Sequence, residues 1–120
     1  MNNNELKKIT EGLINTTELA GKKSIEIYKK GLKKIIKPDN SPVTNGDLAV
    51  DKILKEKIEQ LTPNIPIISE ESVDLKKENK LKNFWLIDPI DGTKEYIAGK
   101  NEYTINAALV LNSIPTIGLV

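Results

Sequence analysis

Two short acidic segments hold the side chains best suited to chemistry: Ser69-Glu70-Glu71 follows one apolar run, and Asp88-Pro89-Ile90-Asp91-Gly92-Thr93 follows the next. If those runs are adjacent strands of one sheet, their ends bring Glu70, Asp88 and Asp91 together. Three carboxylates in a partly buried place repel one another unless a cation neutralises them. All the donors are hard oxygens, which suits Mg2+. The Ile90 carbonyl lies between the two aspartates as a further oxygen donor. Pro89 restricts the turn, and Gly92 lets the backbone come close to a ligand. Thr93 sets a hydroxyl beside the carboxylates, and the amides after Gly92 open a helical turn, an arrangement suited to a phosphate oxygen.

Taken singly, each fragment also has a plain structural reading. Asp91-Gly92 is a common turn dipeptide, Asp88-Pro89 ends strands, and a glutamate pair after a strand often just faces solvent. Asp47, three residues after Thr44, can simply serve a helix cap, and Thr93 can cap the turn that follows it. The combination is what points to a site.

Absent residue types narrow the chemistry further. The chain has no His and no Cys, which removes a thiolate nucleophile, a Ser-His dyad, an imidazole base and an ordinary zinc site. All 18 basic residues are lysines, so a bidentate arginine clamp is missing, which leaves a metal or backbone amides as the way of gripping a phosphate. The lack of arginine also fits AT-rich coding DNA, given the abundance of Lys, Ile and Asn. A formal net charge of +1 argues against a nucleic-acid binder. The lysine pairs at 7/8, 22/23, 29/30 and 33/34 alternate with Glu5, Glu11, Glu18 and Glu26 and read as a solvated face. No apolar run is long enough to span a bilayer and the start is not a signal peptide, so the expected location is cytoplasmic.

The positioning elements follow from periodicity. At 120 residues, 38% of them hydrophobic and 4% aromatic, the chain can build one modest aliphatic core. Leu6, Ile9, Leu13, Thr17, Ala20, Ile27 and Tyr28 recur at helical spacing and predict an amphipathic helix from Asn4 to Leu32, weakened at Gly21 and packed on a sheet. Ile35 and Ile36 predict a short strand ending at Pro38, with a loop from Pro38 to Pro42. Thr44 predicts the N-cap of a second helix whose buried stripe is Val50, Ile53, Leu54, Ile58 and Leu61. Strands are expected at Ile65 to Ser69 and Phe84 to Asp88, separated by a charged loop from Ser72 to Asn83. A helical turn at Thr93 to Gly99 precedes a strand at Tyr103 to Leu111, and Asn112-Ser113 turn the chain into Pro115 to Val120. The fold class expected is α+β, two N-terminal helices on a mainly antiparallel sheet. Because Ile117-Gly118-Leu119-Val120 ends inside an apolar strand, the expectation is a segment of a larger fold. Its open sheet edge would be available for pairing.

In combination, Pro42-Val43-Thr44 with Asp47, then Ser69-Glu70-Glu71, then Trp85 to Thr93 resemble the inositol monophosphatase superfamily of metal-dependent, lithium-sensitive phosphatases. Asp91-Gly92-Thr93-Lys94-Glu95-Tyr96-Ile97 and Asn101 to Asn106 resemble, within it, the CysQ-type 3'(2'),5'-bisphosphate nucleotidases. The resemblance implies the N-terminal, metal-binding half (residues 1–120) of a layered αβαβα fold, with the C-terminal half absent. It implies a Mg2+-dependent hydrolysis of adenosine 3',5'-bisphosphate to AMP and phosphate. Alternatives are a non-catalytic remnant or a phosphatase for inositol or sugar phosphates. Glu70, Asp88, Asp91 and the Ile90 carbonyl would then ligate metal. Asp47 and Thr93, with Glu70, would orient and deprotonate the attacking water, and Glu70, Ile90, Asp91, Gly92 and Thr93 would meet the substrate.

Overall fold

The computed structural model describes residues 1–71 and 81–120; most of the charged loop expected after Ser72 lies outside the described residues. Helix α1 spans Asn3–Lys30. Its start is capped by Asn2, whose side chain accepts from the Glu5 N–H at 2.9 Å. It stops at Gly31, whose φ of 105° is open to a residue without Cβ. The buried stripe is Ile9, Leu13, Thr16, Ala20 and Ser24. The expected Thr17 and Ile27 are only half-buried and Tyr28 is exposed. Small polar residues can occupy this stripe because their hydroxyls are satisfied within it: Ser24 Oγ donates to the Gly21 carbonyl at 2.6 Å and lies 3.0 Å from the Tyr103 hydroxyl. Gly21 does not interrupt the helix.

Strands β1 (Lys34–Ile36) and β2 (Pro42–Thr44) form a two-stranded antiparallel ladder. The stretch read as a loop up to Pro42 thus gives way to strand at that residue. Three residues opening on proline leave little sequence signal, and an edge strand tolerates the missing N–H. Helix α2 (Asn45–Leu61) follows at once and buries Val50, Leu54 and Ile58, while Ile53 and Leu61 are partly buried against the core.

The main sheet has the order β3-β4-β5-β6, formed by Ile67–Ser69, Phe84–Asp91, Thr104–Leu111 and Ile114–Leu119. β3 and β4 run parallel, and the other two pairings are antiparallel. Asn112 and Ser113, with φ of 51° and 65°, make the tight turn between β5 and β6, the backbone that suits the twist of a hairpin. A short helix, α3 (Thr93–Ile97), sits between β4 and β5.

Both long helices lie with the core, α1 packing chiefly on α2 and α2 on β4. That core contains Leu13, Leu54, Ile58, Trp85, Ile87 and Leu109, all fully buried. Trp85 can be buried without losing a hydrogen bond because its Nε1 donates to Thr62 Oγ1 at 3.0 Å. Among the described residues no helix is long and apolar enough to cross a membrane.

Candidate active site

The tips of β3 and β4 and the turn into α3 converge on one cleft. It has a volume of about 370 Å3, and its lining includes Lys37, Glu70, Glu71, Asp88, Asp91 and Thr93. Ile90 and Gly92 line it too. Parallel pairing sets the β3 tip beside β4, with Ser69 opposite Ile87. One further bond, from the Glu70 N–H to the Ile87 carbonyl at 3.1 Å, carries that pairing to the residue next to Asp88.

A β-bulge sets the relation of Asp88 to Asp91. In a regular strand, residues three apart face opposite sides of the sheet. Here Asp88 pairs with Asn106 and Asp91 with Thr104, so Pro89 and Ile90 together oppose Ile105 alone. The extra residue reverses the alternation. Trp85, Ile87 and Pro89 are buried, Ile90 is buried directly after Pro89, and Asp91 emerges exposed. Both aspartates therefore leave the sheet on its less buried side.

Asp47, in the first turn of α2, lies behind the cleft and is linked to it through Thr93. It is completely buried and accepts at Oδ2 from the Thr44 N–H (2.8 Å) and from Thr44 Oγ1 (2.5 Å). Thr44 Oγ1 in turn accepts from the N–H groups of Gly46 and Asp47 at 3.1 and 3.2 Å, which completes the expected capping box. The other oxygen, Oδ1, accepts from Thr93 Oγ1 at 2.9 Å. Asp47 thus has both a capping role and a link to the cleft. Thr93 Oγ1 also lies 3.3 Å from the Ile90 carbonyl.

Gly92 joins β4 to α3 with φ 97°, and a Cβ there would stand 2.9 Å from the Glu102 carbonyl oxygen. Conformation and space both demand glycine.

The carboxyls in the cleft feel one another. Burial pushes the Asp88 carboxyl up to about 6, and the charges of Asp91, Glu70 and Asp47 add to this while Lys37 opposes it. Glu71 is also held above its ordinary range, first by burial, with Lys37 pulling it back from 3.8 Å away. Among the described residues, no group of three or more acidic side chains stands as placed so that it could hold a metal ion. The donors ring the cleft without closing on a point. Their chemistry nevertheless fits a hard divalent cation: every donor is oxygen, and the excess negative charge is what a bound cation would offset.

Several participants had no individual signal in the sequence. Ser69 Oγ donates a short hydrogen bond to Asp51 Oδ1, while Lys55 Nζ lies 3.0 Å from Asp51 Oδ2. Ser69 Oγ also accepts from the Glu71 N–H at 3.2 Å, so α2 fixes the turn that carries both glutamates. Asp51 follows Asp47 by one helical turn, and that spacing was the one available clue. Lys37 was indistinguishable from its neighbouring lysines.

Residues 5–120 match the inositol monophosphatase family. A 3'(2'),5'-bisphosphate nucleotidase CysQ from Buchnera aphidicola is 34% identical over 121 residues, covering 98% of this chain and 46% of the relative. The chain thus spans less than half the length of that relative. The suhB extragenic suppressor protein of Bartonella henselae shares the fold with TM-score 0.80 at 20% identity, over 92% of this chain and 43% of that one. An IMPase/NADP phosphatase solved with Mg2+ and phosphate aligns with TM-score 0.73 at 19% identity, over 93% of this chain and 41% of the other. With its α+β fold, its ordered acidic motifs and a family match along nearly its whole length, the chain belongs to the inositol monophosphatase family.

Proposed function

We propose that this chain is the metal-binding, water-handling part of a Mg2+-dependent phosphomonoesterase that converts adenosine 3',5'-bisphosphate to AMP and phosphate. The observation that carries the reading is the Asp47–Thr93 hydrogen bond, half-buried at the cleft that Glu70, Asp88, Asp91 and Thr93 line. The likeness to CysQ nucleotidases supports the substrate, and the phosphatase solved with Mg2+ and phosphate supports the ion.

Glu70, Asp88, Asp91 and the Ile90 carbonyl would hold the cation. What Mg2+ supplies when bound is activation of water and stabilisation of the leaving oxygen. Thr93 donates its own proton to Asp47, which leaves its oxygen to accept a proton from water in the cleft and pass its proton on to the carboxylate. Glu70 helps to orient that water. The phosphate would lie against Gly92 and Thr93, where the missing side chain leaves the backbone open, and Ile90 and Asp91 complete the contact.

The test is phosphate release from adenosine 3',5'-bisphosphate, inositol monophosphate and sugar phosphates. It is run with and without Mg2+, on the chain alone and with the remaining half of a CysQ relative added. Mg2+-dependent turnover favouring the adenosine bisphosphate is expected. Preference for an inositol or sugar phosphate would reassign the substrate, and no turnover in any combination would remove the enzymatic reading. A non-catalytic remnant or metal-binding fragment of such an enzyme is the second reading, its non-catalytic side favoured by carboxylates that do not close on one point. Heat of Mg2+ binding without turnover would support it.

A further inference from the structure

Helix α3 is five residues long, and its N-cap, Gly92, offers no side-chain hydrogen bond. A helix that short does not hold itself in place, yet its first residue, Thr93, must stay within hydrogen-bond reach of Asp47. Tertiary anchors have to supply the placement, and those anchors meet at Tyr96.

Tyr96 is 1% exposed. Its hydroxyl donates to the Ser24 carbonyl of α1 at 2.6 Å. Its ring meets Tyr103 edge-on at 4.9 Å between centroids and lies on Gly46 of α2. A Cβ at position 46 would stand 2.2 Å from the Tyr96 hydroxyl oxygen and 2.7 and 2.8 Å from two ring carbons. Only glycine admits the ring. Gly46 and Asp47 are neighbours in α2, and Thr93 and Tyr96 stand one turn apart in α3, so the two helices touch at two matched points.

We propose that Tyr96 is a positioning residue whose seat on Gly46, anchored through Ser24, holds Thr93 against Asp47. The assignment of Thr93 and Asp47 to water handling rests on the function proposed above, whereas the seat is a matter of geometry alone. For a methyl group at position 46 the ring would have to retreat by about 1 Å to regain ordinary contact near 3.5 Å. The Thr93–Asp47 distance of 2.9 Å, lengthened by as much, would leave the O–H···O hydrogen-bonding range, which ends at about 3.0 Å.

Threonine-methyl NMR on the chain reads this directly. Gly46→Ala is expected to shift the Thr93 methyl resonance while Thr16 and Thr62, elsewhere in the core, keep theirs. It should also speed exchange of the Tyr96 N–H, which donates to the Gly92 carbonyl at 2.9 Å, by roughly fivefold or more, the equivalent of one lost hydrogen bond. Gly46→Ala combined with Tyr96→Leu should recover part of the urea midpoint lost by Gly46→Ala, because the clash is gone, without returning Thr93 to its wild-type position. An unmoved Thr93 signal in Gly46→Ala, or losses that merely add in the double variant, would overturn the proposal. If Gly46→Ala does not fold, Tyr96→Phe decides: it keeps the ring, loses the Ser24 anchor, and should displace Thr93 less but in the same direction, and no displacement refutes the seat. Where turnover is measurable, Gly46→Ala should lower kcat more than fivefold with little change in KM. Absence of turnover in the wild-type chain, alone and with the second half supplied, would count against the function and leave the NMR result standing.

Discussion

Asp88 lines the cleft and Asp47 lies buried behind it, and the protein treats the two aspartates in opposite ways. Asp47, fully buried, is surrounded by donors: the Thr44 amide, the Thr44 hydroxyl and the Thr93 hydroxyl. Asp88, half-buried, has its carboxyl raised to about 6, first by burial and then by the like charges of Asp91, Glu70 and Asp47. The difference lies in what accompanies burial: hydrogen-bond donors at position 47, like charge at position 88. Donors tie the side chain at position 47 into the fold, whereas at position 88 burial and like charge both disfavour the charged form.

The sharpest way to break this contrast is to remove each carboxylate in turn. Asp47→Ala leaves the Thr44 and Thr93 donors without their acceptor and opens the cap, and should cost about 3 kcal/mol in urea unfolding. A loss near zero would mean that Asp47 is not the structural member of the pair. Asp88→Asn relieves repulsion and should raise, or leave unchanged, the melting temperature in metal-free buffer; a clear fall would show that both aspartates are structural.

Gly92→Ala tests the junction between the two regions. A Cβ at φ 97° and 2.9 Å from a carbonyl oxygen should cost about 2 kcal/mol, seen as a lower urea midpoint with an unchanged slope. If the midpoint holds, the turn is less confined than the geometry implies.

Adding Mg2+ sharpens the Asp88 half of the contrast. At ten times its Kd, the ion should stabilise the wild-type chain by about 1.4 kcal/mol, a rise of about 5 °C in melting temperature. The rise should shrink in Asp88→Asn. Equal rises in the two proteins would place the cation elsewhere.

The smallest effect concerns Tyr96, on the Asp47 side. Tyr96→Phe should cost about 1 kcal/mol at neutral pH for its lost hydrogen bond. Burial first, with Tyr103 and Asp47 adding to it, raises the Tyr96 hydroxyl from 10.0 to about 12. A raised folded value means that the neutral hydroxyl favours the native state. Its contribution is complete below pH 10 and disappears as pH rises through 12. The gap between wild type and Tyr96→Phe should therefore close across that window, with tyrosinate absorbance marking the titration. A gap that stays constant would contradict the buried anchor.

Local patterns carried the reading of the elements a long way. The capping box at Thr44 and Asp47, the stripe Val50-Leu54-Ile58 and the turn at Asn112-Ser113 depend on residues close in the chain, and each stands where its spacing indicated. The α1 stripe was shifted toward Thr16 and Ser24: the Thr16 hydroxyl donates to the Gly12 carbonyl one turn back, whereas what makes the Ser24 hydroxyl acceptable in the core includes Tyr103, far along the chain. β2 had too few residues to be read, and the parallel pairing of β3 with β4 depends on long-range packing that no short window contains.

For the cleft, residue type and spacing along the chain determined the inventory: hard oxygen donors, no imidazole or thiol, a glycine at the turn, a threonine after it. Only the tertiary structure decided that a bulge turns Asp88 and Asp91 to the same side, that Thr93 bonds to Asp47, and that Tyr96 fits over Gly46. The physical reason is one of range. Propensity, capping and charge type act between near neighbours and can be read in order, whereas facing, contact and mutual electrostatic strain arise between groups that meet only when the chain has folded.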